Sequence, residues 1–198
     1  MTFDDFKHLV QLTFRNPEGA ARALIGLNLP MQARWMALLL AVTVSALMAF
    51  LVSSLYPAPP SDAGTPMLSL VRQPMVLAGM QLGAIVLGAG LMAGVGRVFG
   101  GHGRFADALI LSVWIEMMLL LVQAAQVVLS LALPGLAGIM GILAVALFLW
   151  LTVQFTKALH GFTSGPKVML VMFATLMAMG MALSFLAAAI GLLPEMPQ

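Results

Sequence analysis

The chain has 198 residues, of which 62% are hydrophobic and only 8% charged, with a formal net charge of +2. Ordinary soluble domains carry roughly 25% charged residues, so there is too little polar surface here to cover a water-soluble globule, and the nine basic residues are too scattered to form a nucleic-acid footprint. The absence of cysteine excludes a disulfide framework, a thiolate metal site and a thiol nucleophile.

Residues 1–34 precede the first long apolar run and read as a short amphipathic, cytoplasmic segment in two helical pieces. Asp4 and Asp5 follow Thr2, placed to complement the positive end of a helix dipole. Phe3, Phe6, Leu9, Val10 and Phe14 then fall on or near one face. Asn16 as cap, Pro17 at the first helical position and Glu18 just inside open the second piece, Ala20 to Leu27. Both pieces suit helices on the cytoplasmic membrane surface, either packed under a bundle or serving as a docking arm for a partner. The acidic start lacks the basic-then-apolar layout of a cleavable signal peptide, so this terminus is expected to be retained.

A bilayer core of about 30 Å needs roughly 20 apolar residues in a helix, and five stretches qualify: 35–56, 75–96, 108–133, 136–156 and 168–193, leaving 194–198 as a tail. None shows the alternation of barrel strands, and spanning backbone must satisfy its own hydrogen bonds. The fold class is therefore all-α: a polytopic membrane protein with five transmembrane helices. Pro57, Pro59, Pro60 and Pro66 break the chain after the first span, Pro134 and Gly135 make a tight third turn, and Gly165 with Pro166 precede the fifth span. The third and fourth spans should form an antiparallel hairpin.

Basic residues near a membrane are retained on the cytoplasmic side. An inside amino terminus puts Lys7, Arg15, Arg22, Arg34, Arg97, Arg104, Lys157 and Lys167 in the cytoplasm, with Arg72 the exception. The expected placement is a bacterial inner membrane, amino terminus cytoplasmic and carboxyl terminus periplasmic.

The second span carries Gly79 and Gly83, then Gly90 and Gly94, each pair at the four-residue spacing that lets helices approach closely. Packing within the bundle is the expectation, and packing between copies the alternative. The third span holds the one intramembrane ionisable residue, Glu116, about 12 Å deep at 1.5 Å per residue. At 100° per residue, Ser112, Glu116, Gln123, Gln126 and Ser130 form a polar stripe within about 80° of arc that should face protein or water. The stripe reads either as interhelical glue, with Gln81 and Gln154 as partners, or as a proton- or ion-linked pathway. Interhelical glue is the expectation, because no second buried acid or base is present to pass a proton onward.

His8, His102 and His160 all map to the cytoplasmic side without metal-ligand spacing and read as solvated residues. The 17 methionines read as unbranched apolar filler. Nucleophile elbow, phosphate-cradling loop and paired carboxylates are absent from the sequence, so the expectation is a non-enzymatic protein with no cofactor and no metal.

The stretch Gly96-Arg97-Val98-Phe99-Gly100-Gly101-His102-Gly103-Arg104-Phe105 resembles the cytoplasmic turn between spans two and three of bacterial Yip1-domain membrane proteins, with Gly100, Gly101 and Gly103 as its glycines. The five-span layout is similar as well. The resemblance implies the fold and the membrane location. Eukaryotic relatives are implicated in vesicle trafficking with small GTPases, and neither those partners nor any catalytic residue is carried over. The expected partners are the lipid bilayer and either a membrane protein or a second copy of this chain, with no nucleic acid. The expected role is a scaffold, assembly or membrane-organising factor acting through helix–helix contacts, and the alternative is a small transporter or permease component with a polar pathway along the third span.

Overall fold

A computed structural model of the protein describes residues 2–55, 73–132 and 137–189. The Pro57 to Pro66 segment, Arg72, the Pro134–Gly135 turn and residues 190–198 lie outside it. The described residues form seven helices and no strand: α1 Phe3–Arg15, α2 Pro17–Gly26, α3 Met31–Leu55, α4 Pro74–Val98, α5 Phe105–Ala132, α6 Ala137–His160 and α7 Gly165–Ala189. The last five are long and apolar enough to cross a membrane. Each reaches beyond the charge-free core that marks it in the sequence, chiefly at the end bearing Arg34, Arg97, Asp107 and Lys157, because a charged residue ends an apolar run without ending a helix.

Local chemistry sets the boundaries. Thr2 Oγ1 accepts from the Asp5 N–H at 3.2 Å while Asp5 Oδ2 accepts from the Thr2 N–H at 2.7 Å, a reciprocal cap on α1. The same backbone and hydroxyl contacts hold the Asp5 carboxyl below its ordinary range. Asn16 both ends α1, its N–H bonding Leu12 O, and starts α2, its Oδ1 accepting from Gly19 N–H at 2.9 Å. Asn28, with φ of 45°, turns the chain out of α2 toward α3.

The core is centred on α5, which packs against α3, α4 and α6. Over half of its most apolar window is buried, 56%, against 6% for α7. Leu109, Leu111 and Met118 of α5 meet Leu38 of α3, the small Ala89 and Ala93 of α4, and Leu151 and Phe155 of α6. The helix pair α5 and α6 is indeed adjacent, as a hairpin requires. Helix α7 packs mainly on α6.

The amino-terminal pieces are part of this core. Leu9, Thr13, Ala20, Ala21 and Leu24 are buried, and α2 lies against α6 and α5. Trp114 of α5 joins them: its Nε1–H donates to Thr13 Oγ1 at 2.9 Å, and its ring meets Phe6 edge to face at 5.5 Å. Lys157 Nζ of α6 reaches Glu18 Oε1 at 2.6 Å. The apolar face of α1 is thus split. Phe6, Leu9 and Val10 turn into the bundle, whereas Phe3 and Phe14 point outward. The segment is a packed wedge and not a free surface helix, because Trp114 offers it both a ring and a donor.

Candidate functional site

The intramembrane site is built from three helices. Glu116 sits eleven residues beyond the start of α5, roughly 16 Å along the helix at 1.5 Å per residue, and is 6% exposed. Gln81 of α4 donates to its Oε1 from Nε2 at 2.6 Å and also to Ser45 Oγ of α3 at 3.2 Å. Ser45 in turn lies 3.3 Å from Gln123 Oε1, and Gln123 Nε2 reaches Ser45 O at 3.4 Å. Each bond crosses between helices, so the network fixes the register of α3, α4 and α5 in a medium where an unmet polar group is costly.

These residues line one wall of an open-sided cavity of about 390 Å³, with Gln126 further along α5. The rest of the lining is apolar: Leu119 of α5 with Ala144, Val145 and Phe148 of α6. No ion pair reaches Glu116 among the described residues, since Arg34, Arg104 and Lys157 pair with Asp107 and Glu18 elsewhere. The arrangement can accept or donate hydrogen bonds from amides and a hydroxyl, and it presents one carboxyl group.

Of the stripe read from the sequence, Glu116, Gln123 and Gln126 come together on the cavity. Ser112 is half-buried one turn earlier and off its wall. The side chain of Ser130 lies outside the described residues. Gln81 is the partner of Glu116, while Gln154 is half-buried on α6 and does not line the cavity. Ser45, which joins the network from α3, was missed. A lone serine in an apolar span carries no periodic signal, and only its placement opposite Gln123 reveals it.

The glycines of α4 also depart from expectation. A Cβ placed on Gly79, Gly83, Gly90 or Gly94 would meet nothing within 4 Å. At 100° per residue the four lie within about 60° of one another, and they therefore form an open groove on the outside of the bundle. Close packing inside the chain is served instead by Ala89 and Ala93.

At the basic end, the glycine turn between α4 and α5 is a cradle for one histidine. His160, at the end of α6, is 5% exposed. Its Nε2 lies 2.9 Å from Met92 O and its Nδ1 lies 3.1 Å from Gly103 N. A carbonyl only accepts and an amide N–H only donates, so the ring is neutral with its proton on Nε2. A Cβ on Gly96, Gly101 or Gly103 would approach the ring closer than 3.0 Å. Gly100 supplies the left-handed turn, φ 86°, and Arg97 Nε bonds Gly103 O at 2.7 Å. The solvated reading of the histidines thus holds for His8 and His102, which are exposed, and fails for His160. Beside the cradle, buried Arg34 bonds Leu29 O at 2.9 Å, Ala106 O, and Asp107 Oδ1 at 3.2 Å.

A family model, the Yip1 domain, matches residues 12–186. The chain belongs to the Yip1-domain family. No curated protein and no solved structure gives a significant match. The Yip1 domain takes in the cavity, the α4 groove, the glycine turn and His160, and begins within α1. As a Yip1-domain protein with five apolar helices, the chain is a multi-pass membrane protein in contact with lipid. Among the described residues there is no group of three His, Cys, Asp or Glu side chains able to hold a metal ion.

Proposed function

We propose that this Yip1-domain protein is a non-enzymatic scaffold or membrane-organising factor that works through helix–helix contacts, in a bacterial inner membrane with its amino terminus in the cytoplasm. The observation that carries the reading is the α4 groove. Four glycines in one exposed line, flanked by exposed Val76 and Leu87, leave backbone accessible to a neighbouring helix within the bilayer. In lipid, such contact relies on close van der Waals approach, and glycine is the residue that permits it. The orientation is supported by Arg34, Arg97, Arg104 and Lys157, which gather at the end where α1 and α2 pack.

The test replaces Gly79 and Gly83 with Leu and follows complex size in mild detergent or nanodiscs. The reading expects a defined larger complex for the native protein and its loss in the double variant, with the helix content unchanged. An unchanged size distribution would remove the α4 groove from consideration.

The second reading, a small transporter or permease component, is favoured by the cavity. There polar side chains including a carboxyl group line a cavity together with apolar ones at membrane depth. It requires substrate flux in liposomes that Glu116→Gln abolishes.

A further inference from the structure

We propose that the cavity between α3, α4, α5 and α6 is a binding site for a primary ammonium group carried on a small apolar body. Glu116 is more than nine-tenths buried, and its hydrogen-bond partner is a neutral amide, Gln81. No cationic side chain of the described residues stands beside it. Were the carboxyl ionised at this depth, no charge among the described residues would complement it, and a bound cation would supply that charge.

The cavity selects the form of that cation. At about 390 Å³ it falls within the range of small-molecule pockets, roughly 300–1,000 Å³, and it is far larger than the ligand shell of a metal ion. Carbonyl oxygens of Gln81, Gln123 and Gln126, with the Ser45 hydroxyl, add acceptors for the three N–H donors of an ammonium. The apolar part of the lining, Leu119, Val145 and Phe148, suits an alkyl or aryl body, with the Phe148 ring available to a cation. An anion would face the carboxylate, and a wholly polar neutral ligand would leave the apolar wall against water. Val145 and Phe148 are exposed on the outside of α6, so the mouth opens where acyl chains or an amphiphilic amine can enter sideways. The ammonium could be that of a free amine or of an aminophospholipid headgroup. Binding here does not depend on a partner helix seated in the α4 glycine groove.

The experiment uses the full chain in phosphatidylcholine nanodiscs, whose quaternary headgroup has no N–H donor, with 2-phenylethylamine as the probe and 2-phenylethanol as its neutral counterpart. Uptake by empty discs is subtracted. Saturable one-to-one binding of the amine, at least ten-fold tighter than the alcohol, is expected. Glu116→Gln should weaken it at least ten-fold. Val145→Trp, which fills the mouth from an already exposed position, should do the same and stands in where the first variant fails to fold. Non-saturable uptake equal to empty discs, equal binding of the alcohol, or full binding by both variants overturns the proposal. Repeating the titration with phosphatidylethanolamine in the discs separates the sources. Competition assigns the site to the lipid headgroup, and its absence to the free amine.

Discussion

His160 and Gly103 are joined across 57 residues of sequence by a 3.1 Å hydrogen bond in which the glycine N–H donates to Nδ1. With Nε2–H on Met92 O at 2.9 Å, the ring fastens the end of α6 to both α4 and the turn that follows it. The glycines of that turn are there because the imidazole occupies the space a side chain would take.

Gly101→Ala or Gly103→Ala should therefore destabilise the protein by about 1–3 kcal/mol, the ordinary cost of overpacking. Gly79→Ala in the isolated chain should be neutral or stabilising by up to about 1 kcal/mol, since helix propensity improves and nothing is met. Thermal unfolding in detergent distinguishes the two classes. Combining Gly101→Ala with His160→Ala should cost less than the sum of the single changes, because the second removes the obstacle to the first.

Arg34 is 3% exposed and holds Asp107 and two backbone carbonyls, so Arg34→Ala strips the buried acid of its buried partner and leaves both carbonyls without this donor. The expected loss is about 3–5 kcal/mol. Arg104 also reaches Asp107, at 3.1 Å, but its side chain is 68% exposed. Arg104→Ala should cost no more than about 1 kcal/mol. Equal losses would contradict the buried pair as the organising contact of this end.

How much of this was legible in the sequence differs from residue to residue. The five spans were readable because bilayer thickness fixes a length that charge-free runs reveal directly. The meeting of Glu116 with Gln81 was readable because few polar groups share a span and each needs a partner. His160 was misread as solvated because a titratable residue at a span end is usually wet, and what buries it lies 57 residues away. The three glycines Gly96, Gly101 and Gly103 were the available signal, since so many within eight residues imply a bulky neighbour. For Gly79 and Gly83, spacing told of close approach and could not tell to what.

Asp5 gives a pH dependence whose sign follows from its cap. Its carboxyl titrates below the ordinary range because the ionised form accepts from Thr2. Its stabilisation of α1 is therefore present above the unfolded value, about 3.9, and is lost as pH falls through the lower folded value. Amide exchange in the first turn of α1 should accelerate, relative to the intrinsic rate, between pH 5 and pH 2 only for native Asp5. Asp5→Asn should show a flat ratio.

Trp114→Phe removes the donor to Thr13 while the threonine hydroxyl keeps its own bond to Leu9 O at 2.8 Å. A cost of about 1 kcal/mol is expected, and α1 should become the first site of limited proteolysis. Cleavage elsewhere first would mean that α2, through Lys157 and Glu18, carries the docking alone.

The central claim is that the α4 groove meets another transmembrane helix. A photoreactive benzoylphenylalanine placed at Val76 or Leu87, beside the glycine line, and at Met181 on exposed α7 tests it in intact membranes. The account predicts one discrete protein adduct from the two α4 positions, lost when Gly79 and Gly83 are replaced by Leu, and none from Met181. Adducts to lipid alone from all three positions, or an α4 adduct indifferent to the glycines, would contradict it.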